Sequence, residues 1–351
     1  QTGVKSIEGA GEHPIDFWID FKGTIAENST PRCAIVRVRY HNYTCEHDIY
    51  VRQGYAPITI DGNAESDKNP AWASYNVYRF DANNAPVYTK SPLEEGSLFR
   101  RGNRTAILAS NNDRPGFTFG LGPSGSFDVL ELGATTPSQK TWSQLAPSAD
   151  DVKSRFASWS IAGDHERIAT IEDFYTLEST SIHSNIGKAY GVLYGDGATE
   201  TQKSVEVALG YDHNEDPTNS KKGMRGCFVF NINNSHNIFF PIGKSGYGRR
   251  KGMTSNGEKV GALRYAQRTD YYNNDGTGNI QYVPLFYDLF ERPGAIYQCR
   301  NRLSSTGSDV KKSSAFDINY FTMGFEGFEN GASNNSDGSD SDACFIRTVK
   351  Y

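Results

Sequence analysis

Apolar and polar positions alternate with a period of two at the start of the chain. Ile15-Asp16-Phe17-Trp18-Ile19-Asp20-Phe21 carries its apolar residues on one face, and so do Cys33–Tyr40 and Ile49–Gln53. Turn residues separate the runs at Glu27–Pro31, at His41-Asn42 and at Gly54. Alternation of this kind predicts antiparallel strands with one solvated face. Three strands cannot bury two faces. Residues 1–54 are therefore expected to be the end of a β-sandwich, completed by preceding chain or by the next domain.

From Tyr55 onward, Gly, Asn and Asp crowd between short apolar runs, and the period changes once. Ile171, Phe174, Tyr175 and Leu177 follow the i, i+3, i+4 stripe of an amphipathic helix. Thr170 stands at its N-cap, with Glu172 and Asp173 at the positive end of the helix dipole. The spacing predicts a helix from Thr170 to Ser179. Asp150–Phe156 is a candidate second, shorter helix. The remainder reads as strands and loops, without internal repeat or linker. Asn330–Asp342 is one low-complexity run, read as a solvated loop. The expected fold class is α+β, with residues 55–351 as a second module.

Composition narrows the function. The 351 residues carry 36 Lys and Arg against 41 Asp and Glu, a net charge of −5. That balance excludes a general nucleic-acid binder and charge-driven binding to an anionic membrane. No apolar run is long enough to span a bilayer. The five cysteines, Cys33, Cys45, Cys227, Cys299 and Cys344, are too widely spaced for a C-x-x-C redox or zinc motif. They read as small buried hydrophobes, with room for one bridge. The chain begins Gln1-Thr2-Gly3, which is read as a trimmed chain whose native N-terminus lies upstream.

Hydrolase and nucleotide-binding signatures are missing. There is no G-x-S-x-G and no H-E-x-x-H. Asp164-His165-Glu166 reads as polar residues before a helix. Gly191–Gly197 lacks the Lys-Ser/Thr of a phosphate loop and reads as a turn between strands. Carbohydrate binding needs only exposed aromatic faces and directional polar groups. Tyr271, Tyr272, Asn274 and Asp275 supply both within five residues. Tyr247 with Arg249 and Arg250 could stack on a ligand and hold an anionic group, a solvated basic loop being the plainer reading. No cofactor is expected. Calcium is the alternative, at Asp337, Asp340 and Asp342 in the acidic run, although no Glu closes an EF-hand there.

Two resemblances add to this. Arg32-Cys33-Ala34-Ile35-Val36, followed by Ile49-Tyr50-Val51-Arg52-Gln53-Gly54, resembles the closing half of the BACON domain, an immunoglobulin-like module of Bacteroidetes surface proteins that ends in V-x-Q. Ala71–Val77, Gly96–Gly102, Glu166–Phe174 and Ala343–Lys350 resemble, in order, the conserved pieces of the Fibrobacter major paralogous domain family. Ala169 stands where that family has Pro, and Thr348 where it has Cys, so a disulfide through that position is absent. The second resemblance implies a C-type-lectin-like fold, a strand-rich module with one or two helices, also used by formylglycine-generating enzymes.

Together these readings imply a non-enzymatic binding protein of the bacterial outer surface. It would be an adhesin or pilus-associated subunit recognising a glycan or a host protein, lipid-anchored through the missing N-terminus. The alternatives are a structural surface subunit without ligand, or an enzyme of the formylglycine-generating or glycan-processing class. The enzyme would need a reactive thiol pair among Cys227, Cys299 and Cys344.

Overall fold

The fold is taken from a computed structural model. It describes residues 19–20, 22–41, 43–61, 69–90, 92, 94, 96–100, 102–108, 126–145, 165–177, 185–194, 224–241, 263–268, 281–284, 294–300, 314–319, 324–329 and 342–351.

Among these residues the chain forms twenty strands and two short helices. The first strands are β1 (Arg32–Tyr40), β2 (Cys45–Gln53), β3 (Ala71–Trp72), β4 (Val77–Phe80) and β5 (Pro86–Tyr88). Next come β6 (Ser97–Arg100), β7 (Ala106–Leu108), β8 (Ser126–Leu130) and β9 (Ser138–Thr141), then helix α1 (Trp142–Leu145). β10 (Glu166–Ile168) leads into helix α2 (Ile171–Tyr175). β11 (Ile186–Leu193), β12 (Met224–Asn231), β13 (Asn237–Pro241), β14 (Leu263–Arg268) and β15 (Gln281–Pro284) follow. The last are β16 (Gly294–Gln298), β17 (Ser314–Asn319), β18 (Gly324–Glu329), β19 (Asp342–Cys344) and β20 (Thr348–Lys350).

The strands pair antiparallel. The largest sheet has the order β15-β14-β19-β6-β7-β8-β9. Three-stranded sheets β10-β20-β3, β11-β12-β13 and β16-β17-β18 join it, with hairpins β1-β2 and β4-β5. The strand-rich expectation is met. The α+β expectation is not confirmed: among the described residues helix is confined to two segments of four and five residues. Of the Ile15–Phe21 strand, Ile19 and Asp20 lie in irregular chain and the other positions fall outside the described residues. So does the helix expected at Asp150–Phe156.

The middle of the large sheet is apolar on both faces, which explains runs that do not alternate. Leu98 of β6, Ile107 of β7 and Phe127 and Val129 of β8 enter one core cluster with Trp72, Phe174, Phe240, Tyr297 and Phe345. Their neighbours Phe99, Ala106, Leu108 and Leu130 enter a second, with Phe80, Ile168 and Ile346. Successive side chains of a strand point to opposite faces, so short continuous apolar runs are what a sheet between two cores requires.

The β1-β2 hairpin is held to the β11-β12-β13 sheet by aromatic contact. The Tyr50 ring stacks on Phe228, with centroids 5.2 Å apart, and lies 4.6 Å from Phe230. At the same sheet Gly226 admits close approach. A Cβ there would stand 2.3 Å from the Phe240 carbonyl oxygen and 2.4 Å from the Phe239 ring. Gly191 pairs opposite Gly226. Gly191–Leu193 thus belongs to a strand, correcting the turn expected there.

Helix α2 begins where expected. The Thr170 hydroxyl accepts from the Asp173 amide at 3.2 Å, and the Asp173 carboxylate accepts from the Thr170 amide at 2.7 Å. This reciprocal pair is a capping box. Asp173 also receives Arg167 Nη2 at 2.9 Å. The helix ends at Tyr175, earlier than Ser179: the backbone tightens there, the Thr176 and Leu177 amides donating three residues back to the Asp173 and Phe174 carbonyls at 3.0 and 2.9 Å. Thr170→Ala should lower stability by about 1 kcal/mol, read as a shifted denaturant midpoint at unchanged slope. An unchanged midpoint would show the cap to be idle.

Candidate functional site

Most residues singled out for ligand binding fall outside the described residues. Tyr247, Arg249 and Arg250 belong to the connection between β13 and β14. Tyr271, Tyr272, Asn274 and Asp275 belong to that between β14 and β15. Asp337 and Asp340 belong to that between β18 and β19. Asp342 is the first residue of β19, in register with Arg264 of β14, so the acidic run gives way to a strand at that point. Because β19 runs antiparallel to β14, the N-terminus of β19 and the C-terminus of β14 face the same end of the sheet. The N-terminus of β14 faces the other. Among the described residues, no group of three His, Cys, Asp or Glu side chains could hold a metal ion.

His165 and Glu166 serve the C-terminus. The His165 carbonyl accepts the Tyr351 amide at 3.0 Å, and its ring meets Tyr351 edge-on. Glu166 accepts the Thr348 hydroxyl at 2.7 Å. All five cysteines are free thiols, so no bridge forms. Cys227, Cys299 and Cys344 are buried. Burial pushes the Cys227 thiol up to about 12, the opposite of what a nucleophilic or metal-binding cysteine needs.

Two polar centres stand out, and sequence reasoning missed both. The first is buried. Arg347 has no exposure to solvent. Its Nε donates to Asn76 Oδ1 at 2.8 Å, Nη1 to the Ala73 carbonyl at 2.9 Å and Nη2 to the Phe239 carbonyl at 3.1 Å. The guanidinium lies 4.6 Å from the Phe240 ring centroid and 6.0 Å from that of Tyr297. Asn76 Nδ2 in turn donates to the Tyr297 hydroxyl at 3.2 Å. Burial lowers the Arg347 pKa and raises that of Tyr297. No carboxylate among the described residues pairs with Arg347, so the cation is held by dipoles and π faces.

The second centre reaches the surface. Arg52 is the last residue but one of β2, and burial lowers its pKa, with Arg347 adding repulsion. It donates from Nε to the Gly54 carbonyl at 3.0 Å, from Nη1 to the Asn237 carbonyl at 2.8 Å, and from Nη2 to the Ala56 carbonyl at 2.8 Å and the Ser74 hydroxyl at 2.6 Å. Ser74 passes its own proton to the Tyr55 carbonyl at 2.8 Å. Tyr55 is thus fixed at its own carbonyl and at the carbonyls on both sides of it. Yet its side chain is 57% exposed. The Tyr75 ring packs against it, centroids 5.2 Å apart and tilted 39°. Burial raises the Tyr75 and Tyr78 phenols; the Tyr55 hydroxyl raises Tyr75 further while Arg52 opposes it, and the Glu94 charge adds a smaller upward push on both.

No protein-family model, curated protein or solved structure matches the chain.

Proposed function

We propose that this chain is a binding protein of the bacterial outer surface, recognising a glycan or a surface protein through loops carried on a lectin-like β scaffold. One observation supports the reading most. Strands packed around two apolar cores are joined by connections that hold the Tyr, Asn, Asp and Arg residues suited to sugar recognition. A rigid scaffold with polar and aromatic connections can present ligand contacts without exposing core. The N-terminal immunoglobulin-like module, the lipid anchor and any association with pilus subunits belong to the same proposal. The high thiol pKa of Cys227 disfavours the formylglycine-generating alternative at that residue.

The test is binding of the purified chain to immobilised mucin and to a glycan array. Tyr271→Ala with Tyr272→Ala should reduce binding by roughly tenfold or more while leaving the melting temperature nearly unchanged. Wild-type affinity in that double variant would remove these residues from the site. A chain that binds neither mucin nor any arrayed glycan would favour the purely structural subunit. Chelator should change binding only if Asp337, Asp340 and Asp342 order a calcium-dependent loop.

A further inference from the structure

We infer that residues 54–61, which join the β1-β2 hairpin to the strands that follow, are a locked strap and not a hinge, so that the hairpin and those strands move as one body. The lock stands independently of the binding reading above; what it does for a bound ligand rests on that reading.

A junction between independently moving modules is an exposed stretch, often rich in Gly and Pro, that few contacts cross. Gly54-Tyr55-Ala56-Pro57 has that composition, but the fold ties it down from two distant parts of the chain. At the hairpin end, Arg52 donates to the Gly54 and Ala56 carbonyls at 3.0 and 2.8 Å, and the Ser74 hydroxyl donates to the Tyr55 carbonyl at 2.8 Å. At the far end, the donors come from the end of β12 and the turn into β13. The His236 ring nitrogen Nδ1 lies 2.8 Å from the Thr59 carbonyl. A carbonyl oxygen only accepts, so His236 carries a proton on Nδ1. Asn231 Nδ2 donates to the Asp61 carbonyl at 3.3 Å, and Asn234 Nδ2 to the Ile60 carbonyl at 3.5 Å.

The middle of the strap is held by backbone and by core. Ile58 exchanges both backbone hydrogen bonds with Trp72, at 2.9 and 3.1 Å. The Ile58 and Ile60 side chains are 2% and 1% exposed and enter the same core cluster as Trp72 and Phe240. Pro57 restricts the backbone just before them. The two clamps are also joined to each other. Arg52 Nη1 donates to the Asn237 carbonyl of β13 at 2.8 Å, and Tyr50 of β2 stacks on Phe228 of β12. A hinge needs a few residues free to change φ and ψ. Between Gly54 and Asp61, such a rotation would break a bond at one clamp or pull an isoleucine from the core. In the proposed binding protein, the connections that carry ligand contacts therefore keep a fixed orientation to the hairpin, and no ordering cost falls on binding.

Chymotrypsin tests the lock on the intact chain. The Tyr55 side chain is 57% exposed, so the residue that the protease recognises is on display. Cleavage after it requires the backbone to leave the strap. The wild-type chain should resist that cut, with products identified by mass, and should unfold thermally in one transition. Ser74→Ala with His236→Ala releases one bond at each clamp without touching the core. It should be cut after Tyr55 about tenfold faster at a temperature well below both melting midpoints. Ser74→Ala with His236→Asn restores an N–H near the position of Nδ1 and should be cut more slowly than the double alanine variant. Rapid cleavage after Tyr55 in the wild type overturns the lock. So does a double alanine variant cut no faster than wild type, or a separate early transition of the hairpin. Degradation of that variant throughout, in place of a single cut, also overturns it, because the two bonds would then hold the core and not the strap.

Discussion

Arg347→Ala should cost the chain about 4 kcal/mol or more, in the range that marks the loss of a buried polar network. Three effects act together. The variant loses three hydrogen bonds from a charged donor, each worth about 1.5–3 kcal/mol in a typical site, though such values do not add. It strands the Ala73 and Phe239 carbonyls and Asn76 Oδ1 away from water. It also uncovers one face of Phe240, against which the guanidinium packs at 4.6 Å. Against a total stability of about 5–15 kcal/mol for an ordinary domain, this is a large fraction. Arg347→Lys keeps the charge but reaches fewer of the three acceptors, which diverge in a fork that only guanidinium matches. It should recover only part of the loss. Denaturant unfolding of the three proteins checks the order wild type, Lys, Ala. A Lys variant as stable as wild type would mean that charge alone, not the fork, holds the closing segment.

The strands were readable where the signal is local. The β1-β2 hairpin shows its period-two alternation, and the α2 cap is spelled by Thr170 and Asp173, three residues apart. α1 carries a local signal of the same kind: Thr141 and Gln144 form a reciprocal box, with the Thr141 amide on Gln144 Oε1 at 2.8 Å and the Gln144 amide on Thr141 Oγ1 at 3.4 Å. Phe345-Ile346-Arg347 looked like the middle of one closing strand. It is the break between β19 and β20, where Phe345 enters one core cluster, Ile346 the other, and Arg347 turns inward.

The candidate sites were less legible, for a physical reason. Arg347 meets Asn76 across 271 residues and Phe239 across 108, so no window of sequence contains its partners. Tyr271 and Tyr272 drew notice because they are adjacent in sequence. Tyr55 and Tyr75 are brought together by Arg52 and Ser74, and an isolated Tyr after a Gly carries no mark of that. An arginine in a V-x-Q strand ending reads as an exposed polar position. Only the fold shows it to be half-buried and bonded to the turn that follows.

Trp72→Ala should be the other strongly destabilising change, at about 3–5 kcal/mol. The indole is 1% exposed and its ring centroid lies 5.0 Å from that of Phe174 and 5.9 Å from that of Phe240. Truncation would remove the ring that both Phe174 of α2 and Phe240 of β13 pack against, leaving their own contact at 6.4 Å. The backbone at this position has its own role. Trp72 exchanges both hydrogen bonds with Ile58, at 2.9 and 3.1 Å, and pairs with Val349 of β20 on its other side. Those bonds survive in the alanine variant, so the loss reports the cavity and not the sheet. Trp72→Phe keeps an aromatic wall against Phe174 and should cost well under half as much. The check is a pair of denaturation curves with equal slopes and separated midpoints. Near-wild-type midpoints in Trp72→Ala would mean that Phe174 and Phe240 close over the vacated space, and that the aromatic cluster is held together by Tyr297 and Phe345 instead.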